Sequence, residues 1–164
     1  MDESMEGYPV VVEIPVRFRD LDAMGHVNNS VYLTYFEEAR VKCLEAVHYD
    51  INDPEGFGFV LAEALCRYHS PLYFGEKARI GLKVSEIGTR GWGVHLLSPP
   101  GIGLKVSEIG TKSFRFVYRV EEAKTHRLVA AGYTVQVAYD YENHRSIPLS
   151  DRLIESLKGI LSEA

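Results

Sequence analysis

Asp20 and Asp22 stand two residues apart in the stretch RFRDLDAMGHVNNSVYLTYFEEAR, Arg17 to Arg40, and Gly25, His26, Asn28, Asn29 and Ser30 follow them. An alternating run of Val10, Val12, Ile14, Val16 and Phe18 leads in, and a strongly helical segment leads out. Two carboxylates thus fall in a turn just ahead of a helix start. The first backbone N–H groups of a helix lack intrahelical acceptors, and the positive end of its dipole lies there. Ionisable groups beside such donors suit the stabilisation of negative charge on a substrate oxygen.

The elements that must hold this turn follow from periodicity. Tyr8 to Arg19 alternates as a strand, with Pro15 marking an edge position or a bulge. From about Ser30 to Val47 the spacing predicts a helix with Tyr32, Tyr35, Phe36, Ala39, Cys43, Ala46 and Val47 on one side and charged residues over much of the rest. Asn29 or Ser30 is the expected N-cap. A loop rich in Asp, Pro, Gly and Asn (Tyr49 to Gly58) precedes strand candidates at Phe59 to His69, Ala78 to Ile87, Ser113 to Val120 and Leu128 to Tyr139. A C-terminal helix is expected after Pro148, with Ser150 as cap and Leu153, Ile154, Leu157, Ile160 and Leu161 as its apolar stripe. Strand, helix, then a run of strands is an α+β order, with the long helix on one face of an antiparallel sheet.

Composition narrows the class. The 164 residues, 46% hydrophobic and 25% charged, suit one soluble domain spanning 1–164, with residues 1–7 as a mobile leader. Eighteen basic against twenty-three acidic residues, with no basic run, argue against a nucleic-acid partner. No apolar run approaches a membrane span and no signal-type h-region opens the chain, so a cytoplasmic protein with no membrane partner is expected. Cys43 and Cys66 read as free buried thiols of a reducing compartment. The six histidines lack metal-ligand spacing, and no G-x-S-x-G elbow is present; neither a metal site nor a serine or cysteine triad is expected.

The core Asp20-Leu21-Asp22-Ala23-Met24-Gly25-His26-Val27-Asn28-Asn29, with Tyr32 and Phe36-Glu37-Glu38-Ala39-Arg40 after it, resembles the signature of the hotdog-fold acyl-CoA thioesterases of the 4-hydroxybenzoyl-CoA thioesterase-like branch. The resemblance runs from about Val10 to about Pro148. It implies a sheet wrapped around one long central helix, a homodimer or homotetramer, an acyl-CoA substrate and no cofactor. It places the catalytic carboxylate, acting as nucleophile or general base, on Asp22. His26 and Asn29 complete the expected catalytic set, with a backbone N–H near Asn29 polarising the thioester carbonyl. Substrate contacts fall on Asn28, Phe18, Arg67, Tyr68 and His69. Asp20 reads as a structural partner of Arg17 or Arg19. Some relatives carry tyrosine in place of Phe18 or histidine in place of Asn29, so a mechanism relying on either group does not transfer. Lys83, Arg90, Lys112 and Arg115 are candidates for CoA phosphates by charge alone. An acyl-carrier-protein thioesterase, a hydratase or a non-catalytic acyl-CoA-binding module are the alternatives on the same fold, although the His/Asp or His/Glu arrangement of a hydratase is not seen.

One feature departs from that pattern. Ile80 to Thr89 and Ile102 to Thr111 both read IGLKVSEIGT, offset by 22 residues. Two units do not make a solenoid, so residues 90–111 are expected to be a duplicated insertion. An extra hairpin through Trp92 to Leu97, turning at Ser98-Pro99-Pro100-Gly101, is the favoured form. Either copy is equipped to be the native strand.

Overall fold

The alternating and helical patterns fold in the expected order. A computed structural model describes residues 5–49, 58–88 and 112–160. Its elements are β1 (Val10–Pro15), a 3-10 turn (Phe18–Asp20), α1 (Val31–Ala46), β2 (Gly58–Tyr68), β3 (Lys77–Gly88), β4 (Ser113–Glu122), β5 (Leu128–Asp140), β6 (Arg145–Ser146) and α2 (Asp151–Lys158). Every strand pairing is antiparallel. The order across the sheet is β1-β3-β4-β5-β2, with β6 against the end of β5.

Alternate residues of the central strands build the core. Ala78, Ile80, Leu82 and Val84 of β3 are fully buried, as are Phe116, Tyr118 and Val120 of β4. Onto them α1 lays Tyr32, Tyr35, Phe36, Ala39 and Cys43, and the rings of Phe36 and Tyr118 stack at 4.1 Å. Helix α1 touches β1 and β2, the strands at the two edges, as well as β3, so the sheet curves around it. This is the hotdog arrangement. Leu153 and Leu157 of α2 join the same core, and the Ser150 hydroxyl caps α2 by accepting from the Leu153 N–H at 3.2 Å.

Four local expectations are corrected. The first strand stops at Pro15, because the Asp20 carboxylate accepts the Arg17 N–H at 2.9 Å and folds Phe18–Asp20 into a turn. Met5, expected in a mobile leader, is buried on β3, where a Cβ at Gly81 would lie 2.6 Å from its sulfur. On α1 it is Leu44 that is buried, while Ala46 stays exposed. Cys66 is only partly buried, although both cysteines are free as expected.

The first copy of the repeat, through Gly88, lies in β3. Its register continues backward through Arg79, Ala78 and Lys77, paired with Glu13, Ile14 and Pro15. The second copy is preceded by Pro99-Pro100-Gly101. Prolines lack the N–H such a ladder needs, which gives the first copy three extra pairs. The expectations for the 50–57 loop and the 90–111 insertion lie outside the described residues.

Candidate functional site

A tight hairpin carries the paired acids. The Asp22 N–H donates to the His26 carbonyl and the Asn28 N–H to the Asp20 carbonyl, both at 2.9 Å, with Leu21 and Val27 bridged between them. Gly25 takes φ +81° at its tip, a left-handed conformation that glycine adopts without Cβ strain. The Val27 N–H donates to Leu72, and His26 bridges Tyr73, which ties the hairpin to the chain just after β2.

The two acids divide into different roles. Asp20, only 3% exposed, accepts from the Arg17 amide, the Arg17 guanidinium and the Tyr35 hydroxyl, the last at 2.8 Å. Burial alone would raise its pKa; those donors overcome burial and hold it below the ordinary carboxylate value. Asp20 is therefore the structural acid. Asp22 is partly open, with a quarter of its side chain exposed. Its Oδ1 accepts the Met24 N–H at 2.8 Å, while Oδ2 lies 3.6 Å from Nδ1 of His26. One oxygen orders the turn, and the other faces the His26 ring.

The start of α1 is held by side chains other than the expected cap. Neither Asn29 nor Ser30 caps α1 through its side chain; Asn28 Oδ1 instead accepts both the Ser30 N–H at 2.9 Å and the Ser30 hydroxyl at 2.7 Å. The Asn28 carbonyl accepts the Val31 N–H. From Val27 to Val31, every amide but one thus has an acceptor among the described residues, and the exception is that of Asn29, an exposed residue.

Other expected residues are scattered. Tyr68 comes to this place, its hydroxyl donating to the Asn29 carbonyl at 2.9 Å and its ring edge-on to Tyr32 at 5.2 Å. Phe18 is 78% exposed beside the turn and meets Phe74 edge to face. Arg67 alternates with Tyr68 along β2, which puts it on the opposite face of the sheet, in the electrostatic neighbourhood of Tyr133. His69 is exposed after β2, its amide bonded to Val129. Lys83 and Arg115 sit over the rings of Tyr8 and Tyr133. Burial pushes the Cys43 thiol up to about 12, so it is no nucleophile.

Tyr35 and Tyr73 were not singled out as site residues. Their helical or turn positions gave no signal of a hydroxyl reaching Asp20 or of a bridge to His26. A cleft of about 340 Å³ between β1 and α1, lined by Val12, Ile14, Thr34 and Val41 among others, includes none of the candidate residues.

The profile of the family described as Thioesterase-like superfamily matches residues 16–157. The chain belongs to that superfamily. Among solved structures, this thioesterase-like chain superposes with a TM-score of 0.73 on a thioesterase of Thermus thermophilus complexed with coenzyme A and zinc. The two are 28% identical, over 98% of this chain and 99% of that one. A Pseudomonas aeruginosa protein, 24% identical over 98% and 96% of the two chains, gives 0.77 and shares the fold. A protein of Aquifex aeolicus named for esterase activity is 32% identical over 81 residues, 48% of this chain and 63% of its own. A chloroplastic acyl-acyl carrier protein thioesterase of Arabidopsis thaliana is 34% identical over 76 residues, 45% of this chain and 40% of its own. The chain spans about half the length of the curated relatives it matches.

Proposed function

We propose that the protein hydrolyses the thioester of an acyl-CoA to the free acid and CoA, with Asp22 as nucleophile or general base. One observation carries the reading. A partly exposed carboxylate, whose Oδ2 faces the His26 ring at 3.6 Å, shares a hairpin with the start of α1, where the Asn29 N–H has no acceptor among the described residues. As a base, Asp22 would take a proton from water while the water oxygen bonds to the thioester carbon. As a nucleophile it would form a mixed anhydride that water then opens. Either way the carbonyl oxygen becomes an oxyanion, which the Asn29 N–H and the helix dipole would stabilise. Collapse breaks the C–S bond, and the CoA thiolate leaves and takes up a proton. His26 would steady the Asp22 carboxylate. The chemistry draws on no cofactor.

The family, and the coenzyme A held by the Thermus neighbour, support the acyl-CoA substrate. The Arabidopsis relative makes an acyl-carrier-protein thioester the second substrate to try. No helix among the described residues is long and apolar enough to cross a membrane, and a cytoplasmic setting remains part of the proposal. A homodimer or homotetramer is proposed because β2, eleven residues long, is an edge strand of the sheet, and edge strands call for cover.

Thiol release from short, long and aromatic acyl-CoAs, and from acyl-carrier-protein thioesters, tests this, with Asp22→Asn as the nearly isosteric comparison. Turnover should fall by about two or more orders of magnitude in the variant. Turnover that survives the change sinks the Asp22 assignment, and none on any substrate favours a non-catalytic acyl-CoA-binding module.

A further inference from the structure

We propose that Tyr68 is a positioning residue for the oxyanion-binding amide: its phenol, reaching across from β2, fixes the peptide plane that follows Asn29. The proposal rests on the thioester-hydrolysis reading above.

Two peptide planes meet at Asn29. The first carries the Asn28 carbonyl and the Asn29 N–H, and its carbonyl is held by the Val31 N–H at 3.0 Å. The second carries the Asn29 carbonyl and the Ser30 N–H. Asn28 Oδ1 holds that N–H and the Tyr68 hydroxyl holds that carbonyl, each at 2.9 Å. With both planes fixed, the torsions of Asn29 are set and its N–H keeps one direction. Removing the phenol frees the second plane to rock, and the Asn29 N–H then loses its aim.

The Tyr68 side chain is placed for that task. It is the last residue of β2, and its ring stands edge-on to Tyr32 of the first turn of α1, so ring and hydroxyl both address the helix start. Burial, then Cys66, pushes the phenol above its ordinary pKa, so it stays a protonated donor at neutral pH. Tyr68 is nevertheless 47% exposed, and an exposed hydrogen bond of this kind adds little to folding. Its effect should therefore show in the chemical step more than in stability. A polar contact to the acyl group would instead require the hydroxyl, now engaged with the main chain, to face the substrate.

The test is Tyr68→Phe, which keeps the ring against Tyr32 and removes only the hydroxyl. On a substrate the wild type turns over, kcat should fall about tenfold, less than the roughly hundredfold or more lost with an oxyanion donor itself, while KM stays within about twofold. A second readout uses an unreactive acyl-CoA analogue with CH₂ in place of the thioester sulfur and ¹³C in its carbonyl. Its carbonyl stretch should be lowered on binding to the wild type and less lowered on binding to Tyr68→Phe.

An unchanged kcat overturns the proposal, as does a rise in KM alone, which would assign Tyr68 to acyl binding. A lower kcat with an unaltered carbonyl frequency overturns it as well. If wild type turns over and Asp22→Asn does not, these failures concern Tyr68 only. If the wild type turns over nothing, the proposal falls together with the reading beneath it.

Discussion

Asp20 and Asp22 are the same residue type two positions apart, and their neighbours give them opposite work. Asp22 stays partly in solvent, while Asp20 is closed in by Arg17 and Tyr35. Asp20→Asn keeps the shape but leaves the Arg17 donors facing an amide, so it should cost about 2 kcal/mol, discounted because Arg17 is a third exposed. Urea unfolding at neutral pH measures this. The pH dependence follows from the same contacts. A carboxylate whose folded pKa is depressed adds stability that is fully present above its unfolded value, about 4, and is lost as pH falls through the folded value. Glu122 acts in the same direction; burial would raise it, but Thr125 and the Lys124 amide hold it down. Stability should decline below about pH 4, and Asp20→Asn should flatten part of that decline. An equal slope in the variant would refute Asp20 as its source.

The elements that carry these residues were legible where periodicity is strong. Helix α1 and strands β2 to β5 fall within a residue or two of the expected spans. The misses share a cause, which is that a contact with a distant or polar partner overrode a local pattern. Phe18 fits an alternating strand, yet the Asp20 carboxylate turns the chain there and leaves the ring exposed. Met5 looked like part of a loose end because nothing nearby says that Gly81 leaves room for its sulfur. The candidate site was legible as a motif, and its Asp22 and His26 lie 3.6 Å apart at Oδ2 and Nδ1. Its support was less so: Tyr35 and Tyr68 lie on a helix and a strand whose apolar patterns give no hint of where a hydroxyl goes. Close approach between elements is similarly invisible in sequence. At Gly132 of β5 a Cβ would lie 2.1 Å from the Leu65 carbonyl and 3.1 Å from Phe36. Gly132→Ala must push β2 and α1 apart, at a cost of about 3 kcal/mol or more by thermal unfolding. Gly159→Ala, whose Cβ meets the Ser156 carbonyl at 3.4 Å, should lower the melting temperature far less.

At the scale of the molecule, the sheet sets what can be removed. Gly88 of β3 pairs with Ser113 of β4, and deleting residues 90–111 leaves Thr89 and Lys112 to join them, a two-residue hairpin connection. The shortened chain should fold and melt at or above the temperature of the full one, since a long connection gives way to a short one. If the site reading holds, it should keep thiol-releasing activity. A shortened chain that fails to fold would show that the inserted residues are needed by the sheet.

The ten repeated residues make that deletion degenerate. Cutting out 80–101 instead of 90–111 yields the identical polypeptide, letter for letter. Strands β1 and β4 recognise a partner by its side chains and amides, so along those ten positions they have no means of telling one copy from the other. Lys77, Ala78 and Arg79, which lie outside the repeat, distinguish them, as does the length of the connection that each makes to β4. The chain thus carries a spare for a central strand of its core, and what lies on either side of the repeat decides which of the two is in use.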